Sequence, residues 1–400
     1  MREATVAPTS IELPMSTPQV QGRCPGALRP MLSGDGWLVR VRPKGGRLTC
    51  AQAAGIAALS IRHGNGMIDL TTRANLQLRG VMPHSYPALM DGLQALGLLD
   101  TDAAAEGRRN LVVTPFWSDG DGTQVIASAL ADGLTASDAL DLPSKFGFAV
   151  DCGASPVLRS TSADIRIERG RHGPGLIVRA EGHATGAQMA AHEAVPAAME
   201  LAHWLVAGGA VARGRTARGV PQSRLPARFE GAEAMPWEAP PSRVGPVACG
   251  WLAGVEFGQL RAKTLAELAA LGALRMTPWR MVLIEGATRA PELAGLIARP
   301  DDPLLRVIAC AGAPSCLQAA AATRPLARAL AAHVPPGELL HVSGCTKGCA
   351  HSGKALTLVA TPAGFELIHH GKASSTPDIR GVPPGALALH IKTAVDATPL

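Results

Sequence analysis

Two cysteine loops decide how this chain is read: Cys310-Ala-Gly-Ala-Pro-Ser-Cys316 and Cys345-Thr-Lys-Gly-Cys349. They hold four of the eight cysteines, at spacings Cys-x5-Cys and Cys-x3-Cys. The run Leu304-Leu-Arg-Val-Ile-Ala309 reads as a buried strand, and the Ala/Leu-rich run from Leu317 to His333 as a helix. Thiolates between a strand and a helix lie where backbone N–H groups and a helix N-terminus stabilise negative charge. That setting suits an iron–sulfur cluster, whose thiolate ligation leaves net negative charge to offset. An x5 loop is wider than zinc sites commonly use, and a disulfide needs an oxidising compartment of which the sequence carries no mark. Inert buried thiols are the remaining alternative. That reading suits Cys24, Cys50, Cys152 and Cys249, which stand singly. Cys310, Cys316, Cys345 and Cys349 are the candidate metal ligands. Lys347, between the last two, either offsets cluster charge or simply faces solvent.

Working outward, 400 residues exceed one ordinary core, so two or three domains are expected. A hydrophobic content of 47% is ample for folded domains, while aromatics at 3%, with Tyr86 the only tyrosine, argue against a base-stacking nucleic-acid surface. The net charge of +6 is spread along the chain, which points to an anionic small molecule rather than DNA. Residues 1–22 are rich in Pro, Thr and Ser without an apolar core and read as a loose tail, not a secretory signal. The most apolar long stretch, Ala194 to Ala212, contains Glu200 and His203 and reads as a core helix rather than a membrane span. A cytoplasmic protein with no membrane partner is expected.

From Gly36 a short unit recurs. Trp37-Leu-Val-Arg-Val-Arg42 alternates as a half-buried strand does, and Thr49-Cys-Ala-Gln52 is a capping box opening a helix to about Ile61. Strands Met67–Leu70 and Asn75–Leu78 then flank Thr71-Thr-Arg73. Later, Gly250-Trp251 mirrors Gly36-Trp37, and Gly258-Gln-Leu260 mirrors Gly46-Arg-Leu48. Thr264-Leu-Ala-Glu267 offers a second capping box, and Met276-Thr-Pro-Trp-Arg-Met-Val-Leu-Ile-Glu-Gly286 falls where Leu70 to Gly80 falls in the first copy. A duplicated β-α-β-β unit accounts for this order. Each copy precedes a longer segment. The first is expected to hold strands at 111–114, 163–167 and 176–179 and helices near 123–132 and 186–208. The second ends in a hairpin, 355–360 with 365–369, and residues 213–248 are rich in Pro, Arg and Gly and read as a linker.

This layout resembles the siroheme-dependent sulfite and nitrite reductase superfamily. The four cysteines look like its cluster ligands. Leu70-Thr-Thr-Arg73, Arg109-Asn110 and Leu142-Pro-Ser-Lys145-Phe146 resemble its Thr-Thr-Arg, Arg-Asn and Leu-Pro-x-Lys-Phe motifs. The resemblance implies an α/β (α+β) fold, with duplicated ferredoxin-like half-domains and two sulfite/nitrite reductase-type α/β domains, the second carrying a [4Fe–4S] cluster. The domains then fall at residues 1–22 (tail), 23–85, 86–235, 236–292 and 293–400. Two departures stand out: Gly147 occupies the place of a second lysine, and Arg79 stands where many reductases have histidine. These fit the precorrin-3B synthase branch better. So do Cys24-Pro-Gly-Ala-Leu-Arg-Pro-Met31, Asp35-Gly-Trp-Leu-Val-Arg-Val-Arg-Pro43 and Arg275-Met-Thr-Pro-Trp279.

That branch implies an iron–sulfur monooxygenase. Its tetrapyrrole, precorrin-3A, is substrate, hydroxylated at a meso carbon with molecular oxygen as an acetate arm closes to a lactone. It further implies an external electron donor, a reductase or a ferredoxin, and a mononuclear non-haem iron, for which no histidine spacing nominates ligands. The carboxylates of a precorrin call for fixed cations, arginine above all. Arg73, Arg109, Lys145, Arg275 and Arg280 are the candidates, with Gln77, Asn75 and Trp279 as rim or face contacts; solvated charge or core packing is the alternative for each. No catalytic residue is nominated. Two rival readings stay open: a siroheme-bearing reductase, and a tetrapyrrole carrier or sensor with a structural cluster.

Overall fold

Each copy of the repeated unit completes the other's sheet. In the first sheet, strands Met31–Ser33, Gly36–Val41, Leu76–Val81 and Met67–Leu70 lie in that order, and Gln259–Arg261 from the second copy closes its edge. In the second, Gly245–Val247, Gly250–Val255, Met281–Glu285 and Leu274–Met276 are closed by Arg47–Leu48 from the first. The computed structural model describes residues 25–137, 140–173, 175–208, 217, 220–221, 224–234 and 243–396. Cys24, the 1–22 tail and part of the 213–248 linker lie outside these.

The exchange is held by one shared core. Helices Cys50–His63 and Ala262–Leu271 pack on each other, burying Ile56, Leu265 and Leu268 completely. Each such side chain contributes about 1.5–3 kcal/mol relative to exposure. The duplication extends to the backbone. The Thr71 hydroxyl accepts from Arg73 N and Asn75 N, and the Thr277 hydroxyl accepts from Trp279 N and Met281 N. Ala74 (φ 55°) and Arg280 (φ 58°) occupy the same left-handed corner, as Gly80 (φ 69°) and Gly286 (φ 71°) do at the strand ends. An arginine held there costs on the order of 1–3 kcal/mol, which singles out Arg280 as a placed residue.

Two further sheets flank this pair. Leu111–Val113, Phe148–Asp151 and Ile165–Arg169 run parallel and continue antiparallel through Leu176–Ala180, Thr185–Met189 and Ala232–Glu233. Helices Thr123–Ala136 and Ala194–Ala207 cover one face. In the last sheet Val307–Ala309, Leu340–Ser343 and Ala355–Thr361 run parallel, followed by the antiparallel Gly364–Gly371 and Ile379–Val382. The expected α/β class with duplicated half-domains is what the chain adopts.

Local expectations differ at four places. The first copy's capping box forms as read, through Thr49 and Gln52. In the second copy the helix begins at Ala262, and the buried Thr264 hydroxyl donates to Ala294 O (3.0 Å) instead of capping. The strand before the first cysteine is only Val307–Ala309, because Asp302 caps a tight turn over Pro303–Arg306. The helix after Cys316 is restricted to Arg324–Leu330, with residues 317–323 held in turns by the two cysteine loops. Finally, 185–189 is a strand, and the helix expected from 186 starts at Ala194. No helix among the described residues is long and apolar enough to cross a membrane.

Candidate cluster site and substrate cavity

The two cysteine loops leave the same ends of neighbouring parallel strands, Val307–Ala309 and Leu340–Ser343, so the topology itself brings them together. Gly344 N donates to Cys310 Sγ (3.2 Å), tying one loop to the other. Thr323 donates to Cys310 O (2.7 Å), and Gly312 (φ 66°) passes so close to Thr323 that a side chain would collide. Desolvation raises the thiols of Cys345 and Cys349, and thiolate repulsion adds to it: Cys316 and Cys310 act on Cys345, and all three act on Cys349. Among the described residues no group of three or more His, Cys, Asp or Glu side chains converges on a single ion. Four soft thiol donors that feel one another, with a backbone N–H aimed at one sulfur, fit a multi-iron cluster.

Both half-domains grip these loops. Ser315, inside the first cysteine pair, offers its carbonyl to Ser33 Oγ (2.6 Å), Gly34 N (3.2 Å) and Arg79 Nη2 (2.9 Å). A side chain at Gly34 would strike the Pro314 carbonyl. Arg79 is 3% exposed and also pairs with Asp35 (2.8 and 2.9 Å) and Asp69 (2.7 Å). Asp69 in turn accepts from Gln259 and Arg324 (both 3.0 Å), linking the first sheet, the exchanged strand and the cluster region. From the second half-domain, Arg280 Nη2 donates to Ala350 O (2.7 Å), next to Cys349.

Between these grips lies a cavity of about 310 Å³. Thr71, Thr72, Cys310 and Cys349 line it together with Arg40, Asp69, Gln77, Arg280 and Arg324. Burial pushes Arg280 below the usual guanidinium range, and Arg324 adds to the shift. A bound anion would relieve both. A neighbouring cavity of about 240 Å³ shares Thr72, Arg280 and Ala350 and adds Trp279 and His351.

The predicted contact residues separate into three groups. Gln77 and Arg280 line the cluster-side cavity, and Trp279 lines its neighbour with its ring stacked on Phe116 (5.9 Å, 18°). Arg73, Asn110 and Lys145 gather around Gly147: Arg73 Nη2 donates to Lys145 O (2.9 Å), and Asn110 Nδ2 to Phe146 O (2.7 Å). A Cβ at Gly147 would stand 3.0 Å from Asn110 Nδ2 and 3.3 Å from Arg73 Nη1, so a side chain in the place of the second lysine would press on both. Arg109 and Arg275 are elsewhere. Arg109 is forked onto Asp100 (2.6 and 2.8 Å). Arg275 binds Glu285 (2.7 Å) and lies 3.6 Å over the Trp117 ring. Asn75 is buried at its corner.

Sequence reasoning passed over Arg40, Asp69 and Arg324: Arg40 and Asp69 meet through their registers with Gln77 in the first sheet, and Arg324 reaches Asp69 from the cluster domain. Asp69 alternates with Ile68 and Leu70 in a strand, the one available signal. It also set aside His341 and His351. His341 is wholly buried, and desolvation pushes its pKa down to about 4. His351 packs edge-on against it, with ring centroids 5.7 Å apart.

A model of the nitrite/sulfite reductase ferredoxin-like half domain matches residues 29–96. The solved structure of Mycobacterium tuberculosis NirA superposes with a TM-score of 0.59 at 18% identity, over 90% of this chain and 80% of that one, a likeness of fold. A ferredoxin–nitrite reductase of Synechococcus elongatus is 31% identical over 147 residues, 34% of this chain and 28% of its own. The fold is thus of the sulfite/nitrite reductase type. A precorrin-3B synthase of Sinorhizobium sp. is 32% identical over 395 residues, covering 89% of this chain and 84% of that protein. The chain belongs to the precorrin-3B synthase family.

Proposed function

We propose that the chain converts precorrin-3A to precorrin-3B, an oxygen-dependent hydroxylation at a meso carbon with lactone closure, in aerobic cobalamin synthesis. Family membership supports the activity, and the observation that carries the site is the arginine-rimmed cavity walled by Cys310 and Cys349. In this reading Arg40, Arg280 and Arg324 take the carboxylates of the macrocycle. Gln77 orients Arg40 through its amide oxygen (2.7 and 3.2 Å). Asp69 holds Arg324 toward the cavity, and the Thr-bearing corners set the depth of the floor. Arg73 and Lys145 remain proposed contacts from the Gly147 junction.

Cys310, Cys316, Cys345 and Cys349 would hold a [4Fe–4S] cluster, which when bound supplies single electrons. One oxygen atom enters the substrate and the other leaves as water, with two electrons from an external reductase or ferredoxin. A mononuclear non-haem iron belongs to the same reading. So do a cytoplasmic location, where the four thiols stay reduced, and the domain limits 23–85, 86–235, 236–292 and 293–400. The test is a titration of precorrin-3A into wild-type protein and Arg280→Met under argon, followed by tetrapyrrole absorbance. Equal affinity of the two proteins counts against the cavity as the binding place.

A further inference from the structure

Behind the Cys345–Cys349 loop lie two imidazoles that the contacts assigned above leave unused. His341, on strand Leu340–Ser343, is 0% exposed, and neither of its ring nitrogens meets a hydrogen-bonding partner among the described residues. The Nε2 of His351 is buried and equally unpartnered. Buried polar atoms are rarely left so, and three in one place call for a partner of their own. A Cβ at Gly353 would come 2.7 Å from His351 Nε2, so the glycine there leaves that ring its place. His341 is sealed inside the domain, while His351 reaches the cavity shared by Thr72, Trp279 and Arg280.

Imidazole nitrogens bind first-row metals at about 2.0–2.1 Å, so two rings sharing one ion stand with centroids about 5–6 Å apart. Here they are 5.7 Å apart. We propose that His341 and His351 hold one divalent first-row transition-metal ion at the cavity wall, distinct from the four-cysteine cluster. In the reading given above, on which the choice of metal rests, the ion is ferrous iron. Two protein ligands leave the remaining coordination positions to water and to oxygen donors of whatever occupies the cavity.

The test uses the full chain with its cluster reconstituted under argon. Ferrous iron is titrated in, and nitric oxide then serves as an EPR probe that reports a mononuclear ferrous site separately from the cluster. Wild-type protein should take up one iron beyond the cluster and give the nitrosyl signal. His351→Ala and His341→Gln should each weaken uptake at least tenfold and lose the signal, with cluster absorbance unchanged. Undiminished uptake and signal in the variants overturns the proposal, as does a wild-type protein that binds no further iron. If buried His341→Gln fails to retain its cluster, His351→Ala, at the more open position, decides the matter by the same two readouts. Because uptake rather than turnover is read, failure here leaves the precorrin reading standing. Wild-type protein that carries the extra iron yet leaves precorrin-3A unchanged overturns that reading and not the site.

Discussion

Replacing Arg79 by methionine removes the charge at the junction of the first half-domain and the cluster loop while keeping much of the side-chain length. Arg79 is 3% exposed and makes ion pairs at 2.7 and 2.8 Å with Asp69 and Asp35, besides donating to Ser33 and to the Ser315 carbonyl. Removing one partner of a buried pair costs about 3–5 kcal/mol, chiefly because a charge is left uncompensated. Asp69 keeps Arg324 and Gln259, and Asp35 is 15% exposed at its side chain, so the lower end, about 3 kcal/mol, applies. The loss falls on a contact between the half-domain and the Cys310–Cys316 loop, so it should appear first as cluster release. Thermal unfolding followed by circular dichroism, alongside bleaching of the iron–sulfur absorbance, separates the two. The expected result is a melting point lower by several degrees, with bleaching at a lower temperature than global unfolding. A variant that melts within a degree of wild type and keeps its cluster as long would refute the grip assigned to Arg79.

Other outcomes follow from the same structure. Cys316→Ser should abolish the broad iron–sulfur absorbance in reconstituted protein, and an intact spectrum would remove Cys316 from the ligand set. Arg280→Met should weaken precorrin-3A binding about tenfold or more when compared with wild type at equal cluster content, since Arg280 also holds Ala350 O and a buried charge-assisted contact is worth about 1.5–3 kcal/mol. Asp151 is 2% exposed, and burial pushes its pKa from 3.8 up to about 6, against the N–H groups of Val157 and Leu158 that it accepts from. With the folded value raised, the contribution of Asp151 to stability is full below about pH 4 and is lost as pH rises through about 6, by on the order of 3 kcal/mol. Asp151→Asn should flatten that decline in urea unfolding measured from pH 4 to 8, and parallel profiles for the two proteins would contradict it.

The repeat was legible because it is written in backbone demands: the Thr-bearing corner and the glycine that ends the strand recur at one spacing, Thr71 to Gly80 and Thr277 to Gly286, after a Gly-Trp opening in each copy. The exchange of Arg47–Leu48 and Gln259–Arg261 between sheets was not, since a strand of two or three residues carries no periodicity and its partner lies elsewhere in the chain. The cysteines announced themselves by spacing. The arginines did not divide by sequence into ligand-facing and structural. Arg275 and Arg280 flank one motif, yet one is spent on Glu285 and the other faces the cavity. Only three-dimensional pairing separates them. Thr264 shows the converse, a correct capping pattern overridden by a tertiary acceptor, Ala294 O.

The account rests on a precorrin bound beside the four cysteines as substrate. Reconstituted protein, with an electron donor, should be given precorrin-3A under isotopically labelled dioxygen and under argon, the products being weighed by mass spectrometry and any bound pigment extracted. The account predicts a product carrying one labelled oxygen, formed only in the presence of dioxygen, and no extractable siroheme. Stoichiometric siroheme with precorrin-3A left unchanged would contradict it.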